Sequence, residues 1–242
     1  MQTLTHKELL DAGCHFGHLK RKWNPQMRPF IFAERNGIHV IDLNATLECL
    51  DTAGKALRSM AKAGKKILFV GTKKQSRTII ADAANSVGMP FVTERWLGGM
   101  MTNFATVRRS VRKMQSIQRM LNDNALETIT KKERLMLTRQ YEKLDRMFGG
   151  IAQLNRLPNT LIAVDVMHEH LAIAEAKRLG LKTIGIVDTN SDPNVVDFPI
   201  PANDDASKSI SLIVNFLASA IKEGLEERKQ LVKDEPATAA GE

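Results

Sequence analysis

The apolar positions of this chain follow two periods, and the switches between them outline most of its elements. Ile67-Leu68-Phe69-Val70, Leu161 to Val166 and Thr183 to Val187 are short apolar runs, the pattern of strands buried on both faces. Pro90 to Thr93 adds a shorter one. Between them the spacing turns helical, over Ala45 to Ala63 (stopped by Gly64), Lys73 to Val87, His168 to Leu179, and about Asp205 to Lys233. Strands alternating with helices of about a dozen residues imply crossover connections. The expected fold is therefore α/β, a central parallel sheet flanked by helices in a Rossmann-like or flavodoxin-like manner.

Two regions depart from that alternation. Near the start, Thr5 and Glu8 form a capping-box pattern that opens a short helix ending near Gly13. Cys14 to Pro29 reads as irregular, and Phe30 to Ala33 with Ile38 to Ile41 read as strands joined by the tight turn Asn36-Gly37. In the middle, Val107, Val111, Met114, Ile117 and Leu121 recur at spacings of four and three, as do Leu137, Tyr141, Leu144 and Phe148. The turn signal Asn122-Asp123-Asn124 separates the two series. They predict an antiparallel two-helix coiled-coil arm inserted into the core. The expected division is an α/β core over 1–105 and 149–233, an arm over 106–148, and a disordered tail over 234–242.

Charge sharpens this division. The 242 residues carry a formal net charge of +8 and a sequence pI near 9.6, which favours a polyanionic partner, nucleic acid before membrane. The charge is unevenly spread. Lys55 to Lys113 holds 13 Lys or Arg against two acids, a net of +11, whereas Ile151 to the C-terminus holds nine against 14, a net of −5. Cys14 and Cys49 have neither metal-ligand spacing nor the density of a disulfide scaffold. No stretch resembles a signal peptide or a membrane span, so a soluble cytoplasmic protein is expected.

Several constellations carry candidate chemistry. Gly71-Thr72-Lys73-Lys74 lies between a strand and a helix, where backbone N–H groups favour an anion, but it lacks the spacing of a P-loop or a dinucleotide fingerprint. An RNA phosphate suits the same geometry, with Lys73, Lys74 and Arg77 as donors. Further phosphate candidates are Lys20, Arg21, Lys22 and Arg28 around Trp23, then Arg95, and then Arg108, Arg109, Arg112 and Lys113 on the arm. Trp23 is the better base-stacking candidate, whereas Trp96, in Arg95-Trp96-Leu97-Gly98-Gly99-Met100, reads as packed beneath a hinge. Asp188 ends a predicted strand, where α/β enzymes place reactive groups, and Asp204 and Asp205 open the last predicted helix, at a point that can converge on the same crevice. With His39 they would make a set for a divalent metal, zinc or magnesium; the plainer reading makes Asp205 a helix cap and Asp188 part of a turn. No catalytic triad or metalloprotease signature is legible, which leaves an α/β enzyme or nucleotide-binding protein only as the alternative reading.

Beyond single motifs, the chain resembles the family of the second protein of the bacterial small ribosomal subunit. The resemblance is carried by His15-Phe16-Gly17-His18, Trp23-Asn24-Pro25, Asn36-Gly37-Ile38-His39, Phe69 to Gln75, Arg95 to Phe104, Phe148 to Ile151, Val187 to Pro193, and Asn203 to Ala206, in one collinear order. It departs from the family pattern at Cys14, at Leu19-Lys20 and at Asn159. The resemblance implies an α/β domain with a protruding coiled-coil arm, a place against small-subunit rRNA and neighbouring ribosomal proteins, and no catalysis. It also implies a part in recruiting the large mRNA-binding ribosomal protein. No cofactor is required by it, and neither a small-molecule substrate nor a membrane is expected as partner.

Overall fold

A computed structural model describes residues 4–122 and 130–234. The second half of the predicted arm turn and the predicted disordered tail from 235 lie outside the described residues. The first element is helix α1 (His6–Asp11), where Thr5 Oγ1 accepts from Glu8 N while Glu8 accepts from Thr5 N, the reciprocal cap its sequence predicts.

The centre of the molecule is a five-stranded parallel sheet. Its strands are β4 (Ile67–Val70), β5 (Phe91–Val92), β6 (Thr160–Val164), β7 (Lys182–Val187) and β8 (Phe198–Pro201), in spatial order β5-β4-β6-β7-β8. Alternate strand residues feed opposite faces. Ile67, Phe69, Ile162, Val164, Ile184 and Ile186 pack beneath helices α2 (Leu43–Lys62), α3 (Arg77–Ser86) and α7 (Ser207–Asp234). Leu68, Val70, Leu161, Ala163 and Val187 face the other way, toward α6 (His170–Arg178) and the arm. The continuous apolar runs are thus explained by burial on both sides.

Two strands escaped the sequence reading. Phe16–Leu19 forms β1, placed in the segment read as irregular. It joins an antiparallel sheet with β2 (Ile31–Arg35) and β3 (Ile38–Ile41), in the order β1-β3-β2. Asn36 and Gly37 both take positive φ, 52° and 74°, as the turn requires. The other missed strand, β8, contains Pro199 and Pro201 and pairs only with β7, so its prolines cost no ladder partner on the open edge.

The arm consists of α4 (Phe104–Asn122) and α5 (Lys131–Phe148). The start of α4 meets the end of α5, so the pair runs antiparallel. Val107, Val111, Met114 and Phe148 lie in the same buried cluster as the sheet residues Leu68 and Leu161, with Tyr141 and Leu144 packed alongside. The root of the arm therefore belongs to the core, whereas Met120, Leu135 and Met136 farther out are exposed. A second capping box, Thr130 with Glu133, opens α5.

Candidate nucleic-acid interface and the strand-end crevice

The sheet order reverses between β4 and β6, and the loops at that switch point meet at their carboxyl ends, where α/β proteins place ligands. Here the crevice holds the protein's own charges. Lys73, which follows β4, points inward and is 19% exposed. Its Nζ lies 3.1 Å from Asp165 Oδ2, 2.9 Å from Asp204 Oδ1 and 2.6 Å from Asp205 Oδ1. Burial pulls the ammonium pKa down, but hydrogen bonds to Asp205 and Asp204 and the charges of Asp204 and Asp165 outweigh it and hold it above the ordinary lysine value. Lys73 is charged and already partnered. Three carboxylates of the chain itself, two of them well buried, hold it.

The anion-binding turn at Gly71 is likewise spoken for. Thr72 donates its backbone N–H and its hydroxyl to Glu169 Oε1, at 2.7 and 2.6 Å. Burial raises the Glu169 pKa, and those two hydrogen bonds work against the rise. An internal carboxylate occupies the position that a nucleotide phosphate would take in the alternative reading. Ser76 closes the turn by donating through N–H and Oγ to Lys73 O.

The predicted metal set is rearranged. Asp188 follows β7, and its Oδ1 accepts from the backbone N–H and the hydroxyl of Thr189 while its Oδ2 lies 3.1 Å from His18 Nδ1. Asp204 is fully buried, and burial together with the charges of Asp165 and Asp188 raises its pKa well above the usual carboxylate range. Asp205 is half exposed, its carboxyl held below that range chiefly by the hydrogen bond to Lys73. It is not a helix cap, because Asn203 Oδ1 accepts from the N–H groups of Asp205 and Ala206 at the entry to α7. The imidazole beside the carboxylates is that of His18, not His39. The His39 ring packs against Trp23 with centroids 5.1 Å apart and is not among the clustered ligand atoms.

Asp165 was missed, although it follows a strand just as Asp188 does and takes a positive φ of 68°. Glu175, on α6, was missed as well. It accepts from the indole Nε1 of Trp96 and from the N–H groups of Gly99, Met101 and Thr102. Burial alone would raise its pKa, but those donors outweigh burial and lower it. Trp96 is buried under the glycine hinge, as its sequence context predicts.

The remaining predicted cations divide in two. Lys20 pairs with Glu34 at the surface, Arg77 is tied to Thr72 O and Glu94, and Arg108 reaches Ala152 O and Asn155. Arg21, Lys22, Arg28, Lys74, Arg95, Arg109, Arg112 and Lys113 are exposed, and their side chains make no hydrogen bond or ion pair with the described residues. On α4, Arg109, Arg112 and Lys113 fall opposite the seam of Val107, Val111 and Met114. Trp23 is half-buried beside its basic loop. Elsewhere, an apolar groove of about 580 Å³ lies between α1 and the antiparallel sheet, lined by Leu10, Phe16, Phe32, Ile38, Val40 and Leu43. Among the described residues no helix is long and apolar enough to cross a membrane.

Fold and site together define an α/β scaffold with an acidic strand-end crevice around one paired lysine and a basic outer face. Comparison with known proteins makes the assignment specific. The family model described as ribosomal protein S2 matches residues 9–224, and the chain belongs to that family of ribosomal proteins. It is similar to the small ribosomal subunit protein uS2 of Cytophaga hutchinsonii, 57% identical over 94% of this chain and 89% of that protein. The proteins of the same name from Bacteroides thetaiotaomicron and Porphyromonas gingivalis are 57% and 55% identical, covering 91% and 95% of this chain and 80% and 82% of their own lengths.

Proposed function

We propose that this chain is a structural constituent of the small ribosomal subunit in the cytoplasm, bound to rRNA through its unpartnered outer cations, and that it catalyses no reaction. The observation that carries the reading is the set of eight exposed Lys and Arg whose side chains make no hydrogen bond or ion pair among the described residues, three of them along the outer face of α4. Exposed cations that the described residues do not pair are available to phosphates, and each phosphate contact releases counterions. Replacing Arg109, Arg112 and Lys113 together by Ala should flatten the dependence of log affinity on log salt by about 0.9 per lost contact, roughly 2 to 3 in all. An unchanged slope in that triple variant removes α4 from the RNA interface.

The same protein helps seat the large mRNA-binding ribosomal protein on the subunit. This part of the reading is supported by family membership and by the apolar groove, at whose rim Phe32 is 72% exposed and Phe16 and Leu10 are more than half exposed. Exposed aromatics clustered around a concavity mark protein contacts rather than RNA phosphate contacts. Phe32→Ser should reduce the amount of that partner on reconstituted subunits while leaving rRNA affinity unchanged. Full partner occupancy in the variant places the contact elsewhere.

A further inference from the structure

The arm is tied to the core at its entry and at its exit, and the two ties differ in kind. The exit is held by close packing: a Cβ on Gly150 would stand 2.3 Å from Phe91 O of β5. The entry is held by one side chain, Glu175 of α6. Its Oε1 accepts from Trp96 Nε1 at 3.1 Å and from Gly99 N at 2.7 Å. Its Oε2 accepts from Met101 N at 3.0 Å, from Thr102 N at 2.9 Å and from the Thr102 hydroxyl at 3.0 Å. Only Asn103 separates Thr102 from the first residue of α4, and Asn103 N donates back to Gly99 O at 2.9 Å. Arg108 joins the two ends of the arm to each other, through Ala152 O and Asn155.

We propose that Glu175 is the positioning residue that sets the direction of the arm. The apolar seam at the arm root, Val107, Val111 and Met114, resists separation from the sheet, but apolar contact is non-directional and permits sliding. Hydrogen bonds to a carboxylate are directional and roughly twice as strong as neutral ones, and these fix where α4 starts. Glu175 can impose that position because α6 is itself well seated. Ala172, Ile173 and Ala176 are fully buried, and Glu169 at the start of the helix holds Thr72. The hinge supplies the freedom that the carboxylate removes, since Gly98 has open space where a Cβ would stand and Gly99 takes a φ of 88°. The helix then acts as a lever. A tilt of about 10° at its start carries Gln118, roughly 21 Å along α4, through about 4 Å. That displacement exceeds the length of a hydrogen bond, so cations on a tilted arm miss phosphates that an aligned arm meets.

The test uses the full chain with Cys49→Ser, spin-labelled at Gln118→Cys on α4 and Lys222→Cys on α7, both exposed positions; Cys14 is buried and stays unlabelled. Pulsed dipolar spectroscopy should give one narrow distance for the intact hinge. Glu175→Ala should spread that distance over about 4 Å, the displacement of the lever. Ile213→Ala, which removes a buried side chain on the opposite face of the sheet, should leave it narrow. The consequence for RNA rests on the reading of α4 as a phosphate-binding face. Affinity for small-subunit rRNA should fall about tenfold in Glu175→Ala, because only aligned arms bind, while the salt slope keeps its wild-type value. A broadened distance with unchanged affinity keeps Glu175 as the anchor and removes α4 from the RNA interface. If Glu175→Ala does not fold, Glu175→Gln, which keeps the side-chain length and one acceptor oxygen, decides by the same distance. The proposal is overturned if the folded Glu175 variant keeps the wild-type distance distribution, or if Ile213→Ala broadens it as much.

Discussion

The strand-end crevice and the outer face of α4 are both rich in charge, yet the fold uses them in opposite ways. In the crevice every charged group answers another within the chain: Lys73 answers Asp165, Asp204 and Asp205, and His18 answers Asp188. On α4 the cations Arg109, Arg112 and Lys113 make no hydrogen bond or ion pair among the described residues and stand away from the apolar seam. The contrast teaches that a count of basic residues measures two quantities at once, the charge a fold consumes and the charge it offers. Only the second is available to a polyanion. Lys73 and Lys74 are adjacent in sequence and fall on opposite sides of that line.

The largest effect should come from breaking the crevice. Lys73→Ala leaves buried Asp204 and Asp165 without their cation, and removal of one partner from a buried charge cluster costs about 3 kcal/mol or more. Urea unfolding measures it, and a loss below about 1 kcal/mol would mean that water replaces the ammonium. Next comes the arm root. Met114→Ala removes a buried side chain from the cluster shared with the sheet and should cost about 2 to 3 kcal/mol, whereas Met136→Ala, on the exposed part of α5, should cost almost nothing. Equal losses at the two positions would make the arm a single unit independent of the core.

Glu175→Gln should cost about 2 kcal/mol, because an amide offers one acceptor oxygen to donors that two carboxylate oxygens now satisfy. The pH dependence has a definite sign. The Glu175 pKa is lower in the folded chain than in the unfolded one, so its contribution is present above the ordinary carboxylate value and is lost as pH falls through the lowered one. The gap between wild type and Glu175→Gln should therefore narrow on acidification below about pH 4.5, and a gap that widens there contradicts the assignment. The smallest effect on stability belongs to the outer face, where replacing Arg109, Arg112 and Lys113 by Ala should change unfolding free energy by less than about 0.5 kcal/mol each.

The parallel sheet and its helices were legible because strands buried on both faces leave continuous apolar runs, and Ile67 to Val70 is such a run. β1 was hidden because Phe16-Gly17-His18-Leu19 shows no alternation, its register being set by contact with Thr189 far along the chain. β8 was hidden by two prolines that only an edge strand tolerates. In the site, the sequence offered Asp188 from its place after a predicted strand and Asp204 from its place at the start of the last helix. The sequence placed His39 beside these acids, whereas the structure brings the His18 ring to Asp188 through the tertiary approach of Gly17 to Thr189. The ion pairs of Lys73 were hidden for the same kind of reason: its partners lie at positions 165, 204 and 205, and no local pattern reports them.

We propose that inner cations hold the fold and outer cations hold the RNA. The salt dependence of binding to small-subunit rRNA, measured side by side for wild type, Lys73→Ala and the Arg109/Arg112/Lys113 triple Ala variant, tests it most directly. The inner variant, measured at a temperature where it remains folded, should keep the wild-type slope. The triple variant should lose roughly 2 to 3 from it. A flattened slope for Lys73→Ala, together with an unchanged slope for the triple variant, would contradict the division between the two regions.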